Sequence, residues 1–127
     1  GHQRQPVMNI KIAIVEDNAS VREGLAGYIS LSPGFQLVAN CRNATIALKE
    51  LPAAAPDVTL MDINLPDLTG IECVRKLKPV MPRAQFLMLT IEENSRRVFE
   101  ALEAGAHGYL IKNLQPDRIL EAVKEVY

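Results

Sequence analysis

The chain is poor in cysteine: it has two in 127 residues, and they stand far apart at Cys41 and Cys73. Neither belongs to a CxxC pair or to a Cys/His cluster of zinc-site spacing. A disulfide framework and a zinc module are therefore excluded, and two reduced thiols are expected. Histidine is equally scarce. His2 and His107 lie at unlike sites and support no Ser/His/Asp triad. No apolar run approaches the roughly 20 residues that cross a bilayer. The N-terminus also lacks the apolar stretch of a signal peptide, so a cytoplasmic protein with no membrane contact is expected. An excess of one charge is missing too: 14 Lys and Arg against 15 Asp and Glu leave a net charge of −1, which gives no basic footprint for nucleic acid. There is no internal repeat, linker or low-complexity stretch. Gly1-His2 reads as the scar of a cleaved tag, so residues 1–8 are set apart as a tag remnant or disordered N-terminus.

What is present is an ordinary globular composition, 48% hydrophobic and 23% charged, in a length that suits one domain. Short apolar runs alternate with amphipathic segments. Ile10-Lys11-Ile12-Ala13-Ile14-Val15 is a β-rich run that stops at Glu16-Asp17-Asn18, and near-continuous apolar runs mark strands buried on both faces. Val21, Leu25, Tyr28 and Ile29 then recur at helical spacing, with Asn18 or Ser20 as N-cap. Phe35 to Ala39 reads as a second strand. A helix carrying Ile46, Ala47, Leu48 and Leu51 follows, closed by Pro52 to Pro56. Val58 to Met61 is a third strand with Asp62 at its end, and Ile71, Val74 and Leu77 mark the next helix. Phe86 to Leu89 is a fourth strand ending at Thr90. The spacing predicts a helix over 93–104, with Val98, Ala101 and Leu102 facing inward and Gly105 just past its end. Gly108 to Ile111 is a fifth strand ending at Lys112, and Pro116 opens a last helix through Ile119, Leu120, Val123 and Val126. Five βα units in series predict an α/β protein: a parallel sheet with right-handed crossovers and helices on both faces.

The polar residues fall where such a sheet puts its chemistry. Glu16 and Asp17 follow the first strand, Asp62 ends the third, Thr90 the fourth and Lys112 the fifth. Ligands of open parallel sheets bind outside the carboxyl ends of the strands, so these five side chains converge on one edge. Three carboxylates brought together repel one another and call for a cation. An oxygen-only donor set without His or Cys selects Mg²⁺ or Mn²⁺ over zinc. A divalent metal and a lysine flanking a carboxylate make it a nucleophile toward a phosphoryl donor, with the Thr90 hydroxyl as donor to a phosphoryl oxygen.

Four stretches carry a family resemblance: Ile14-Val15-Glu16-Asp17-Asn18, Leu60-Met61-Asp62-Ile63-Asn64-Leu65-Pro66-Asp67-Leu68-Thr69-Gly70, Met88-Leu89-Thr90, and Gly105-Ala106-His107-Gly108-Tyr109-Leu110-Ile111-Lys112. Together they resemble the receiver domains of two-component response regulators, over about residues 9–127. The resemblance implies a three-layer, doubly wound, flavodoxin-like (βα)5 domain with strand order 2-1-3-4-5. It implies Asp62 as phosphoacceptor, with a sensor histidine kinase or a phosphotransfer protein as donor. Asp17, Asp62 and the Asn64 carbonyl would hold the metal, with Glu16 acting mainly through water. Lys112 would pair with Asp62 and then with the phosphoryl group, Thr90 would move to bond a phosphoryl oxygen, and Tyr109 would turn inward as the switch aromatic. Ile91, Asn64 and Glu92 border the expected site and are expected to tune hydrolysis. Output would pass through the face of the fourth helix, fifth strand and fifth helix, whose charge is mixed across Arg96, Arg97, Glu100, Glu103, Asp117, Arg118, Glu121 and Lys124. That face would serve effector contact or a homodimer formed on phosphorylation.

The run from Ala104 to Lys112 and the Ile119-to-Tyr127 ending most resemble the LuxR/NarL group, whose members carry a helix-turn-helix output domain after the receiver. An excised receiver of a bacterial transcription regulator is the expectation, with DNA contact only through that output domain. A stand-alone receiver and a phosphate-independent pseudo-receiver are the alternatives, the latter opposed by the intact set Glu16, Asp17, Asp62, Thr90 and Lys112. An Asp-nucleophile phosphatase is disfavoured because Asn64 stands where a second aspartate is needed as acid/base. A flavin module is disfavoured because Glu16-Asp17 would repel a phosphate at the loop after the first strand.

Overall fold

The computed structural model describes residues 9–91 and 94–127. Five strands, β1 (Ile10–Val15), β2 (Phe35–Cys41), β3 (Val58–Asp62), β4 (Gln85–Thr90) and β5 (Gly108–Ile111), alternate with α1 (Ala19–Leu31), α2 (Ala44–Ala54), α3 (Gly70–Leu77), α4 (Ser95–Ala104) and α5 (Pro116–Val126). All strand pairs are parallel, in the order β2-β1-β3-β4-β5. The chain therefore folds as expected, into a flavodoxin-like domain of three layers.

Strand periodicity divides the core into two. Ile10, Ile12, Ile14, Val58, Leu60, Leu87 and Leu89 pack against Leu25, Ala26 and Ile29 of α1 and against Ile119, Leu120 and Val123 of α5. On the opposite face Ala13, Val15, Met61, Phe86 and Met88 meet Ala47 and Leu51 of α2, Ile71, Val74 and Leu77 of α3, and Ala101 and Ala104 of α4. Successive residues of a strand point to opposite faces, so a central strand must be apolar throughout. β3 is buried at every position. Each large apolar side chain so buried contributes about 1.5–3 kcal/mol. That outweighs the few tenths of a kcal/mol per residue separating most helix propensities, so packing decides where the helices lie.

Caps fix most helix starts. The Asn18, Asn43 and Thr69 side chains accept from the N–H groups of Val21, Ile46 and Glu72, and Asn94 accepts from both Arg96 and Arg97. Asn18, not Ser20, caps α1. Gly105 closes α4 at φ 117°, a left-handed conformation suited to glycine. Three details depart from the sequence reading. α2 runs past Pro52 to Ala54 and ends on Ala55 in the left-handed region, φ 50°. Pro52 falls in the last turn, where losing one N–H bond does not stop the helix, and the chain instead turns at a strained alanine. Leu102, expected to face inward, is 47% exposed, because only Ala101 and Ala104 of α4 are buried. Tyr28, grouped with the inward residues of α1, is 39% exposed. Cys41 and Cys73 are free and buried, as expected. Burial pushes each thiol up to about 12, aided at Cys41 by the neighbouring Glu50 carboxylate, so both stay protonated and unreactive.

Two contacts hold the loop between β3 and α3. The Asp67 carboxylate accepts from the N–H groups of Ala44 and Thr45, at 3.0 and 2.8 Å, and from the Thr45 hydroxyl at 2.5 Å. It thus sits on the N-terminus of α2, where the helix dipole favours an anion. The backbone of Gly70 lies against β3 so closely that a Cβ there would stand 2.0 Å from the Asp62 carbonyl oxygen.

Two expectations follow from this loop. Gly70→Ala should destabilise the protein by at least about 1–3 kcal/mol, the usual cost of overpacking, as read by urea denaturation; wild-type stability would show that the loop shifts at no cost. The Thr45 hydroxyl hydrogen bond, with those of the Thr45 and Ala44 N–H groups, lowers the Asp67 carboxyl to about 2. Its contribution is therefore complete above the unfolded value of about 3.9 and is lost as pH falls through the folded one. Asp67→Asn should cost about 0.3–1 kcal/mol at neutral pH through loss of the charge at the helix N-terminus, less in high salt because Asp67 is exposed. It should also flatten the stability profile between about pH 4 and 2. A variant with the same acid limb as the parent would rule the capping role out.

Candidate functional site

The carboxyl ends of the strands are held in line by backbone bonds that continue the ladder beyond the strands. Glu16 N–H donates to the Cys41 carbonyl, Ile63 N–H to Leu89 and Lys112 N–H to Thr90, at 2.9, 3.1 and 2.8 Å. These bonds fix Glu16, Asp62, Thr90 and Lys112 on one edge, as the strand-end positions in the sequence predict. Glu16 and Asp62 are almost wholly buried, at 0% and 1% exposure, and Thr90 is buried too. Asp17 is exposed. Carboxylate oxygens of Glu16, Asp17 and Asp62 all lie within 4.8 Å of one another.

Lys112 joins the two buried acids. Its ammonium lies 2.7 Å from Glu16 Oε1 and 3.1 Å from Asp62 Oδ2. Apart from that ammonium, neither oxygen has a hydrogen-bond donor among the described residues. The other oxygens are used locally: Glu16 Oε2 accepts from Asn18 N–H and Asp62 Oδ1 from Asn64 N–H, each at 3.0 Å. Arg22 braces the acidic loop from below, its guanidinium donating to the carbonyls of Glu16 and Asp17 at 2.9 and 3.3 Å.

The electrostatics express crowding. Burial pushes the Asp62 carboxyl up to about 7, and the Glu16 carboxylate adds to the rise, while Asn64 N–H and Lys112 oppose it. Lys112 is pulled down by burial, but Glu16 and Asp62 more than compensate and hold it above the usual lysine value. Burial raises Asp17 as well, yet its bonds with Asp62 and Glu16, together with the Lys112 charge, leave it below the ordinary carboxylate value. Three clustered carboxyls with one ammonium are short of positive charge. Their donors are all oxygens, so the residues fit a hard divalent cation of the Mg²⁺ or Mn²⁺ type.

Beside Asp62 opens a cavity of about 380 Å³ lined by Ile63, Asn64, Thr90, Ile91, Asn94 and Arg97. Asn64 and Ile91 are at its mouth, as the sequence reading has them, and Ile91 is 70% exposed. Glu92 lies outside the described residues. Tyr109 is half-buried on β5, paired in register with Met88, and lines a different cavity with Ser95, Val98, Phe99 and Leu102. Arg97, grouped by sequence with the face of α4, β5 and α5, lines the site cavity, which spacing alone does not reveal.

Comparison with known proteins agrees with this geometry. The Response regulator receiver domain family matches residues 12–124. The chain is 39% identical over 118 residues to the transcriptional regulatory protein LnrK of Bacillus subtilis, covering 93% of this chain and 54% of that protein. It spans about half the length of the curated relatives it matches. A two-component response regulator of the LuxR family from Aurantimonas superposes with a TM-score of 0.86 at 32% identity, covering 93% of this chain and 84% of the other. The signal receiver domain of the putative response regulator NarL from Mycobacterium tuberculosis superposes at 0.88 with 25% identity, covering 94% and 96%. With a buried acidic cluster at the carboxyl edge of a 2-1-3-4-5 sheet and a family match over nearly its whole length, the chain belongs to the response regulator receiver domains.

Proposed function

We propose that Asp62 accepts a phosphoryl group from the phosphohistidine of a sensor histidine kinase or phosphotransfer protein, and that the modified domain controls a transcriptional output. The observation that carries this reading is the placement of Asp62. It is buried at a strand end, 3.1 Å from the Lys112 ammonium, and the adjoining residues Ile63, Asn64 and Thr90 line a cavity large enough for a phosphoryl group. Glu16, Asp17, Asp62 and the Asn64 carbonyl are the residues that would hold Mg²⁺ or Mn²⁺. Bound there, the cation supplies positive charge against the oxygens of the transferring group.

The chain's own residues do the rest. One Asp62 oxygen attacks phosphorus, the P–N bond to the donor imidazole breaks, and the imidazole leaves with the electron pair. Lys112 then exchanges its contact with Asp62 for one with a phosphoryl oxygen, and the Thr90 hydroxyl donates to another. Movement of Thr90 is relayed to Tyr109 one strand away, altering the face of α4, β5 and α5. That face would contact an effector or a second copy of the chain. Relatives are named as transcriptional regulators, which supports an output domain beyond the receiver, and any DNA contact would be made there. A stand-alone receiver acting by protein contact uses the same chemistry.

Two measurements test this reading. Incubation with acetyl phosphate or phosphoramidate should add one phosphoryl group by intact mass, dependent on Mg²⁺ and absent in Asp62→Asn. No adduct from any donor, in folded protein that binds Mg²⁺, would favour a phosphate-independent pseudo-receiver; multiple turnover on phosphate esters would favour a phosphatase. The exposed Ile91 side chain at the cavity mouth should shield the acyl phosphate from water. Ile91→Ala should therefore shorten its lifetime by roughly two- to tenfold, up to about 1.4 kcal/mol of barrier. Equal lifetimes in the two proteins would remove Ile91 from the account.

A further inference from the structure

The cavity beside Asp62 contains a cation that the receiver chemistry above does not use. α4 begins with two arginines whose N–H groups both donate to the Asn94 side chain, and their own side chains take different paths. Arg96 is 90% exposed in its side chain and pairs with Glu100 at 3.4 Å. Arg97, held by its N–H to the Asn94 side chain, lines the cavity with Ile63, Asn64 and Thr90. It is only half exposed. Among the described residues no carboxylate lies within ion-pair distance of its guanidinium.

The charge balance of the site gives this cation a purpose. Three carboxylates would be matched by Lys112 and one divalent cation bound among them. An acyl phosphate replaces the single charge of the Asp62 carboxylate with a group near −2. One negative charge is then left without a counterion, and Arg97 is the cation among the described residues lining the adjoining cavity. A guanidinium suits that position: its planar fork can donate two parallel bonds to a phosphoryl group, and it stays charged at every relevant pH.

We infer that Arg97 is a phosphoryl-binding residue: it pairs with the oxygens of the transferring group across the cavity and holds the acyl phosphate once formed. The inference rests on Asp62 being the acceptor. It assigns Arg97 a place in the site, whereas its neighbour Arg96 belongs to the solvated face.

The test compares the parent with Arg97→Ala and Arg97→Lys. Three readouts are needed: the rate of adduct formation with acetyl phosphate and Mg²⁺, the affinity for beryllofluoride by ¹⁹F NMR, and the affinity for Mg²⁺ alone. Beryllofluoride mimics the phosphoryl group without a leaving group, so it isolates the contact proposed. Arg97→Ala should bind it about tenfold more weakly and react about tenfold more slowly, the scale of one charge-assisted contact. Its Mg²⁺ affinity and circular dichroism should be unchanged. Arg97→Lys should recover part of the loss, and the deficit of Arg97→Ala should shrink at high ionic strength. Parental behaviour of Arg97→Ala toward both ligands would overturn the inference. So would a loss shared with Mg²⁺ affinity and not relieved by lysine, since that pattern is structural. If the parent itself takes neither beryllofluoride nor a phosphoryl group, the receiver reading fails first, a result that none of the Arg97 patterns imitates.

Discussion

Lys112 reaches between Glu16 and Asp62, and the rest of the edge is arranged around that contact. Two almost fully buried carboxylates at the ends of β1 and β3 would not remain there alone, because each buried charge without a partner costs several kcal/mol. Removing one member of such a group typically costs about 3–5 kcal/mol, since the others are left uncompensated. The ammonium comes from the end of β5, two strands from Asp62, so the pairing closes only when β4 and β5 are docked in register. Folding and the site are thus joined: the sheet must be complete before the acids are tolerable, and the same lysine then stands beside Asp62.

That arrangement also explains why the site is incomplete in protein groups. One ammonium partly neutralises three carboxyls, and the Asp62 carboxyl stays high, near 7. A site tuned for maximal stability would pair or delete these acids. This one keeps a deficit of positive charge that a divalent ion would fill, and domain stability is drawn instead from the two apolar layers on the sheet faces.

Much of this was legible in the sequence because buried parallel strands advertise themselves. Ile10 to Val15 and Val58 to Met61 read as near-continuous apolar runs, broken only by Lys11 and Thr59, and the residue after each run falls at the carboxyl edge. Glu16, Asp62, Thr90 and Lys112 could therefore be placed together before any coordinates. Side-chain direction was less legible. Leu102 has the residue type and spacing of a core position, yet α4 is turned so that alanines face the sheet. Arg96 and Arg97 look equivalent in the chain, yet one pairs with Glu100 and the other lines the site cavity. The bond from Asp67 to Thr45 joins residues 22 apart and leaves no local pattern. Pro52 signalled a stop that the last turn of α2 can absorb.

The tether of Asp67 to α2 and the close seat of Gly70 on the Asp62 carbonyl give the domain unequal stiffness about its acidic edge. On the β1, α2 and α3 side β3 is clamped through backbone and cap. On the other side α4 presents Phe99 and Leu102 to solvent at 63% and 47% exposure, and β5 is half-buried along its length. A perturbation at Asp62 therefore meets an anvil in one direction and a lightly loaded spring in the other. With Asp62 as the proposed acceptor, strain would travel toward α4 and β5, the side with more exposed apolar surface, so the distribution of burial would set the direction of a signal.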